Sequence, residues 1–136
     1  MCFISQKKGP NDYRIGYTNE GDIAEFIPNE EIPGQEDTMI LFRNMIAIKA
    51  AYESLSEMVW WQRHQIWLNK IKNGIVILDD AQKSILATAQ KTAARIENRY
   101  GIDALNCDSY EMVLRLGRLS ALAWVLGAEW SESLDT

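Results

Sequence analysis

An α-dominated α+β fold is predicted for this chain of 136 residues: a small N-terminal β-hairpin packed on a three- or four-helix bundle. Three observations lead there. All three prolines (Pro10, Pro28, Pro33) lie in the first 33 residues, which separates an irregular, strand-bearing start from a body poor in breakers. From Gln35 to Asn73 there is neither glycine nor proline. Helix-capping spacings then recur twice downstream, at Asp79 and at Asp108. The length is one domain's worth, read as residues 1–36 (irregular, with the hairpin) and 37–136 (helical).

In the N-terminal segment, Tyr13, Ile15 and Tyr17 alternate with polar residues and share one face. Ile23–Ile27 is a second short run, and Asn19-Glu-Gly-Asp22 between them is turn chemistry, so the two form a hairpin. Phe3-Ile4 is a candidate third strand. A lone hairpin is marginal in water, so packing on the helices is expected.

The long run carries Leu41, Met45, Ile48, Tyr52, Leu55, Val59, Gln62 and Ile66 at alternating four- and three-residue spacings, a heptad-like seam. As a single helix it would span about 58 Å, against a diameter of about 37 Å for a compact domain of this size. A break near Ser54-Leu-Ser56 resolves the conflict, giving helices at 37–55 and 57–73. One continuous helix covered by a second copy is the alternative. Lys70, Lys72 and Gly74 close this stretch with cations in the last turn followed by a glycine. Ile75–Leu78 reads as a buried connector. A helix at 80–100 follows, with Asp79 as cap and Gln82 three residues on, stopping at Gly101. Asp108 with Glu111 opens the last helix, 109–127. Its stripe of Gly117, Ser120, Trp124 and Gly127 predicts close packing against the Ala-rich helix before it, with a dimer contact as the alternative. Trp130 is expected to fold back on the bundle.

Charge narrows the function classes. The net charge is −5, of which −4 falls in residues 1–36 (three basic and seven acidic side chains). An acidic total disfavours general nucleic-acid binding, which depends on phosphate neutralisation. Cys2 and Cys107 make neither a disulfide framework nor a zinc signature. No apolar run reaches membrane-spanning length, and the start lacks the apolar core of a signal peptide, so a cytoplasmic protein with reduced thiols is expected.

The strongest functional constellation is aromatic. Trp60, His64 and Trp67 share one helix face, with Trp61 on the adjacent one and Arg63 among them. Trp and Arg are favoured binding anchors, so these five residues form the candidate partner-binding surface for another protein or a homodimer. Lys91, Arg95 and Arg99 recur every four residues and form a candidate anion contact. No catalytic residue, metal ligand set or cofactor is indicated. Glu53 and Glu57 lie one turn apart, but the Glu-x-x-Glu and Glu-x-x-Asp pairs of all-α nucleotide pyrophosphatases do not occur in the helices that would carry them. The opening Met1-Cys2 superficially resembles class II glutamine amidotransferases, but over two residues only.

The expected function is therefore a non-enzymatic interaction module of adaptor or inhibitor type, as some phage-borne inhibitors are. A binder of a planar, nucleotide-like anion is the alternative, and a metal-dependent hydrolase a lesser one.

Overall fold

The first elements form where strand alternation meets turn residues. In the computed structural model, which describes residues 7–132, the fold is α+β and helix-dominated. By contacts the chain divides into two compact units, Met1–Lys49 and Ala50–Thr136.

The N-terminal unit holds a three-stranded antiparallel meander, β1 (Arg14–Tyr17), β2 (Ile23–Pro28) and β3 (Glu36–Phe42). The expected hairpin is β1–β2, with Ile15 opposite Glu25 and Tyr17 opposite Ile23. Its turn closes through the Thr18 hydroxyl, which accepts the Asp22 N–H at 3.1 Å. Glu25 is fully buried on β2 and organises the loop before β1. It accepts the Asn11 N–H and side-chain amide, both at 3.1 Å, and the Tyr13 N–H at 3.3 Å. A side chain at Gly9 would collide with this carboxylate, so the loop needs glycine there. Phe3-Ile4 lies outside the described residues.

β3 corrects the sequence reading, which placed residues 37–42 at the start of a helix. Thr38-Met-Ile-Leu-Phe42 is β-branched and apolar, and it pairs with β2 in the register Ala24↔Ile40 and Phe26↔Thr38. Leu41 therefore lies on a strand rather than at the head of a heptad seam. Strand gives way to helix at Asn44 without glycine or proline. The Asn44 side chain accepts the Ala47 N–H at 2.8 Å, a helix N-cap. Asp22 holds Asn44 in place, accepting its backbone and side-chain N–H groups at 2.7 Å each, and Arg43 Nη1 at 3.2 Å.

α1 (Met45–Lys72) runs without interruption through Ser54–Ser56, so the expected break is absent. Its 28 residues span about 42 Å; most of the length conflict goes because the strand and the residues joining it to the helix take the first quarter of the run. Gly74 follows at φ +73, the left-handed conformation that glycine adopts at least cost. The connector 75–78 forms no strand, as expected, but Ile75 and Ile77 are exposed rather than buried.

In the second unit, α2 (Asp80–Tyr100) starts from the full capping box of Asp79 and Gln82. A short α3 (Ile102–Leu105), not foreseen, follows Gly101 and drives Leu105 into the core. α4 (Ser109–Val125) is capped by Asp108, which accepts the Glu111 N–H at 2.8 Å. Arg115 on α4 donates to the carbonyls of Leu105 and Ala104 at 2.7 Å each, tying the end of α3 to α4. The core gathers Trp61, Ala93, Ile96 and Leu105, with Met58, Trp60 and Tyr100 packed around them. Trp130 meets Trp124 edge-on at 5.6 Å, so it does fold back.

The small-residue stripe does not pack as expected. Of its four members only Ser120 is buried, and a Cβ added at Gly117 would meet none of the described residues within 4 Å. Of the alanines on α2, only Ala93 is buried.

Ile96→Ala deletes a core side chain and should cost about 2–5 kcal/mol in urea unfolding. Ile85→Ala, at a mostly exposed site of the same helix, should stay within about 0.5 kcal/mol of wild type.

Asp22 gives a second expectation. Its carboxyl sits below the ordinary value of 3.8, chiefly because of the Asn44 backbone N–H, with burial opposing and the Asn44 and Arg43 side chains assisting. The stability this contributes is full above about pH 3.8 and is lost as pH falls through the folded value. Following the Asn44 amide by NMR during acid titration should show this loss, and Asp22→Asn should remove that pH dependence.

Candidate functional site

Three helices of the second unit leave a groove between them. α1 presents Tyr52, Ser56, Val59 and Arg63 at spacings of four, three and four, with Glu57 and Trp60 beside them. α2 adds Thr92, Arg95 and Ile96, and α4 adds Leu119. The groove has a volume of about 440 Å³. Its floor is aliphatic, because Val59, Ile96 and Leu119 are all almost fully buried. Trp60 forms a wall, and Glu57, Arg63 and Arg95 supply the charge.

The polar groups are held from both sides. Arg99 Nη1 lies 2.8 Å from Glu57 Oε1, and Arg95 Nη1 lies 4.0 Å from the same oxygen. Glu57 Oε2 is buried and has no hydrogen-bond partner among the described residues. Arg99 is held all the more firmly in its charged form, first by a hydrogen bond with Tyr100 and then by the charge of Glu57. The basic stripe read from the sequence therefore has a counter-ion on α1. Glu57, one half of the Glu53/Glu57 pair, is engaged by arginines. Among the described residues, no group of three or more His, Cys, Asp or Glu side chains is placed to hold a metal ion.

The predicted partner-binding residues separate in the structure. Trp60 stacks on His64 with ring centroids 5.0 Å apart and planes 9° apart, and Trp67 lies 6.1 Å beyond at a 49° tilt. The three do share a face, but it turns inward: His64 is 5% exposed, while Trp60 and Trp67 are half-buried. Trp61 is core, 3% exposed, and its indole donates to Glu97 Oε1 at 3.0 Å. Arg63 is exposed at the groove. Of the anion-contact set, Arg95 lines the groove, Arg99 pairs with Glu57, and Lys91 is exposed on α2.

No family model matches this chain, and neither a curated protein nor a solved structure matches it. The functional reading therefore rests on the chain's own geometry. The groove joins Trp60 and Arg63 from one sequence-predicted set with Arg95 from the other. Tyr52, Ser56, Thr92, Ile96 and Leu119 were not foreseen. The spacing of Tyr52, Ser56, Val59 and Arg63 marks a helix stripe, but only the packing of α2 and α4 makes it a groove. No helix among the described residues is long and apolar enough to cross a membrane.

Packing of α1 also changes the titration of His64. Burial pushes its pKa below the ordinary 6.5, and the nearby charge of Glu97 opposes this only in part. Its Nε2 is buried with no hydrogen-bond partner among the described residues. The unfolded chain binds a proton near pH 6.5 that the folded chain resists. Stability should therefore be full above that pH and fall as pH drops from 6.5 towards the folded value. Urea unfolding at a series of pH values from 7.5 to 5 should show this slope, and His64→Phe should flatten it.

Proposed function

We propose that the protein is a non-enzymatic interaction module of adaptor or inhibitor type. Its α1–α2–α4 groove receives an apolar side chain of a protein partner, while Arg63 and Arg95 meet acidic groups beside it. The supporting observation is the groove's composition: a floor of three buried aliphatic side chains next to a Trp wall and two arginines. Trp and Arg around a desolvated apolar centre is the residue pattern of binding hot spots. A cytoplasmic setting accords with this reading.

A planar, nucleotide-like anion is the second reading, favoured by the same Trp60–Arg63–Arg95 grouping and by a volume within the usual range for small-ligand sites. Nucleotides added to the protein should then quench Trp60 fluorescence, and Trp60→Phe should abolish the quench. On the interaction reading the fluorescence stays flat.

The primary test is partner capture from the native host, followed by calorimetry with the purified partner. Trp60→Ala and the exposed-site variant Arg63→Glu should each weaken binding by about tenfold or more. Unchanged affinity in both folded variants would refute the reading.

A further inference from the structure

α4 has two apolar faces. One turns inward, with Leu119, Ser120 and Ala123 buried. The other consists of Tyr110, Val113, Leu114, Gly117, Ala121, Trp124 and Val125, and every one of them is exposed. These positions follow spacings of three and four residues along the whole helix, so they form one continuous stripe. Tyr110 is 72% exposed, Val113 66% and Trp124 56%, values typical of surface polar residues rather than large apolar ones. The stripe carries no charge; Glu111, Arg115 and Arg118 lie along one flank.

We propose that this stripe is a homodimer seam, in which α4 crosses α4 of a second copy of the chain about a two-fold axis near Gly117. The choice of a second copy rests on area and on symmetry. Exposed aromatic and aliphatic side chains in these numbers offer roughly 600 Å² per copy, or about 1,200 Å² for a pair, the lower bound for a specific interface. An interface between identical copies must also be self-complementary about its own midpoint. The midpoint between Tyr110 and Val125 is Gly117, and a Cβ there would meet none of the described residues within 4 Å. Helices crossing at an angle approach most closely at the crossing point and diverge towards their ends. Small residues belong at the centre and large ones at the ends. The stripe has Gly117 at its centre, Leu114 and Ala121 one turn to either side so that an antiparallel copy sets each leucine against an alanine, Tyr110 and Val113 at one end, and Trp124 and Val125 at the other. An antiparallel copy would bring each bulky end opposite the other, with the Trp124–Trp130 pair already set edge to face.

The seam lies on the opposite side of α4 from Leu119, which floors the groove. It goes beyond the proposed function, and either can fail without the other.

The test is sedimentation equilibrium on the full chain from about 1 to 200 µM, set against a monomer mass of 15.5 kDa. Wild type should approach twice that mass with rising concentration. Gly117→Leu places bulk at the crossing point but faces open space within the monomer, so it should fold, with unchanged circular dichroism, and remain monomeric. In a Cys2→Ser, Cys107→Ala background, Gly117→Cys should form a disulfide-linked dimer on mild oxidation, and Ala94→Cys on α2 should not. A wild-type monomer throughout, a Gly117→Leu variant that still dimerises, or assembly beyond the dimer would each overturn the proposal.

Discussion

The N-terminal unit depends on one carboxylate. Asp22, at the end of the first turn, accepts two hydrogen bonds from Asn44 and one from Arg43, across 22 and 21 residues of chain. Charge-assisted bonds into a buried acceptor are stronger than neutral ones. They fix the point where β3 must stop. Asn44 then turns its side chain forward to cap the next helix, so one residue ends the strand and starts α1.

A comparable economy holds α1 to α2. Glu57 receives Arg99, with Arg95 close by, while Glu97 receives the Trp61 indole, so carboxylates on each helix satisfy donors on the other. Exposed ion pairs contribute little to stability. Their effect here is positional: the Arg95 guanidinium is drawn to the groove, and Trp61 enters the core with its polar N–H satisfied. The cost falls on atoms left over. Glu57 Oε2, Gln62 Oε1 and His64 Nε2 are buried without hydrogen-bond partners among the described residues. Two of these three belong to residues that line the groove or stack on its Trp wall.

Local chemistry made much of the fold legible. The caps at Asp79 and Asp108, the glycines after α1 and α2 and the β1–β2 hairpin all follow from short-range rules, and all are present. β3 was hidden because its specification is not local. Thr38–Phe42 suits a strand, but neither glycine nor proline separates it from the helix, and the residue that ends it is answered by Asp22, far back in sequence. A heptad-like count that happened to include Leu41 then extended the helix over it. The site was half legible for a related reason. Helix spacing correctly grouped Trp60, His64 and Trp67, but a face shared on one helix does not say whether a second helix covers it. α2 covers Trp61, and His64 is buried as well.

The same ambiguity runs the other way on α4. Sequence periodicity marks a helix as apolar on one side when one stripe dominates. α4 is apolar on two, and of the small residues that suggested close packing inside the bundle Ser120 lies on the covered one and Gly117 on the uncovered one. A helix packed on a core needs one inward stripe, and Leu119, Ser120 and Ala123 supply it. The second stripe adds nothing to that packing and exposes large apolar side chains to water, at a cost that a solitary domain has no reason to retain. Gly117 sharpens the point. In a solvent-facing helix interior, alanine would be more stable by roughly 0.5–1 kcal/mol. A glycine at a position that none of the described residues approaches is consistent with a backbone arriving from elsewhere.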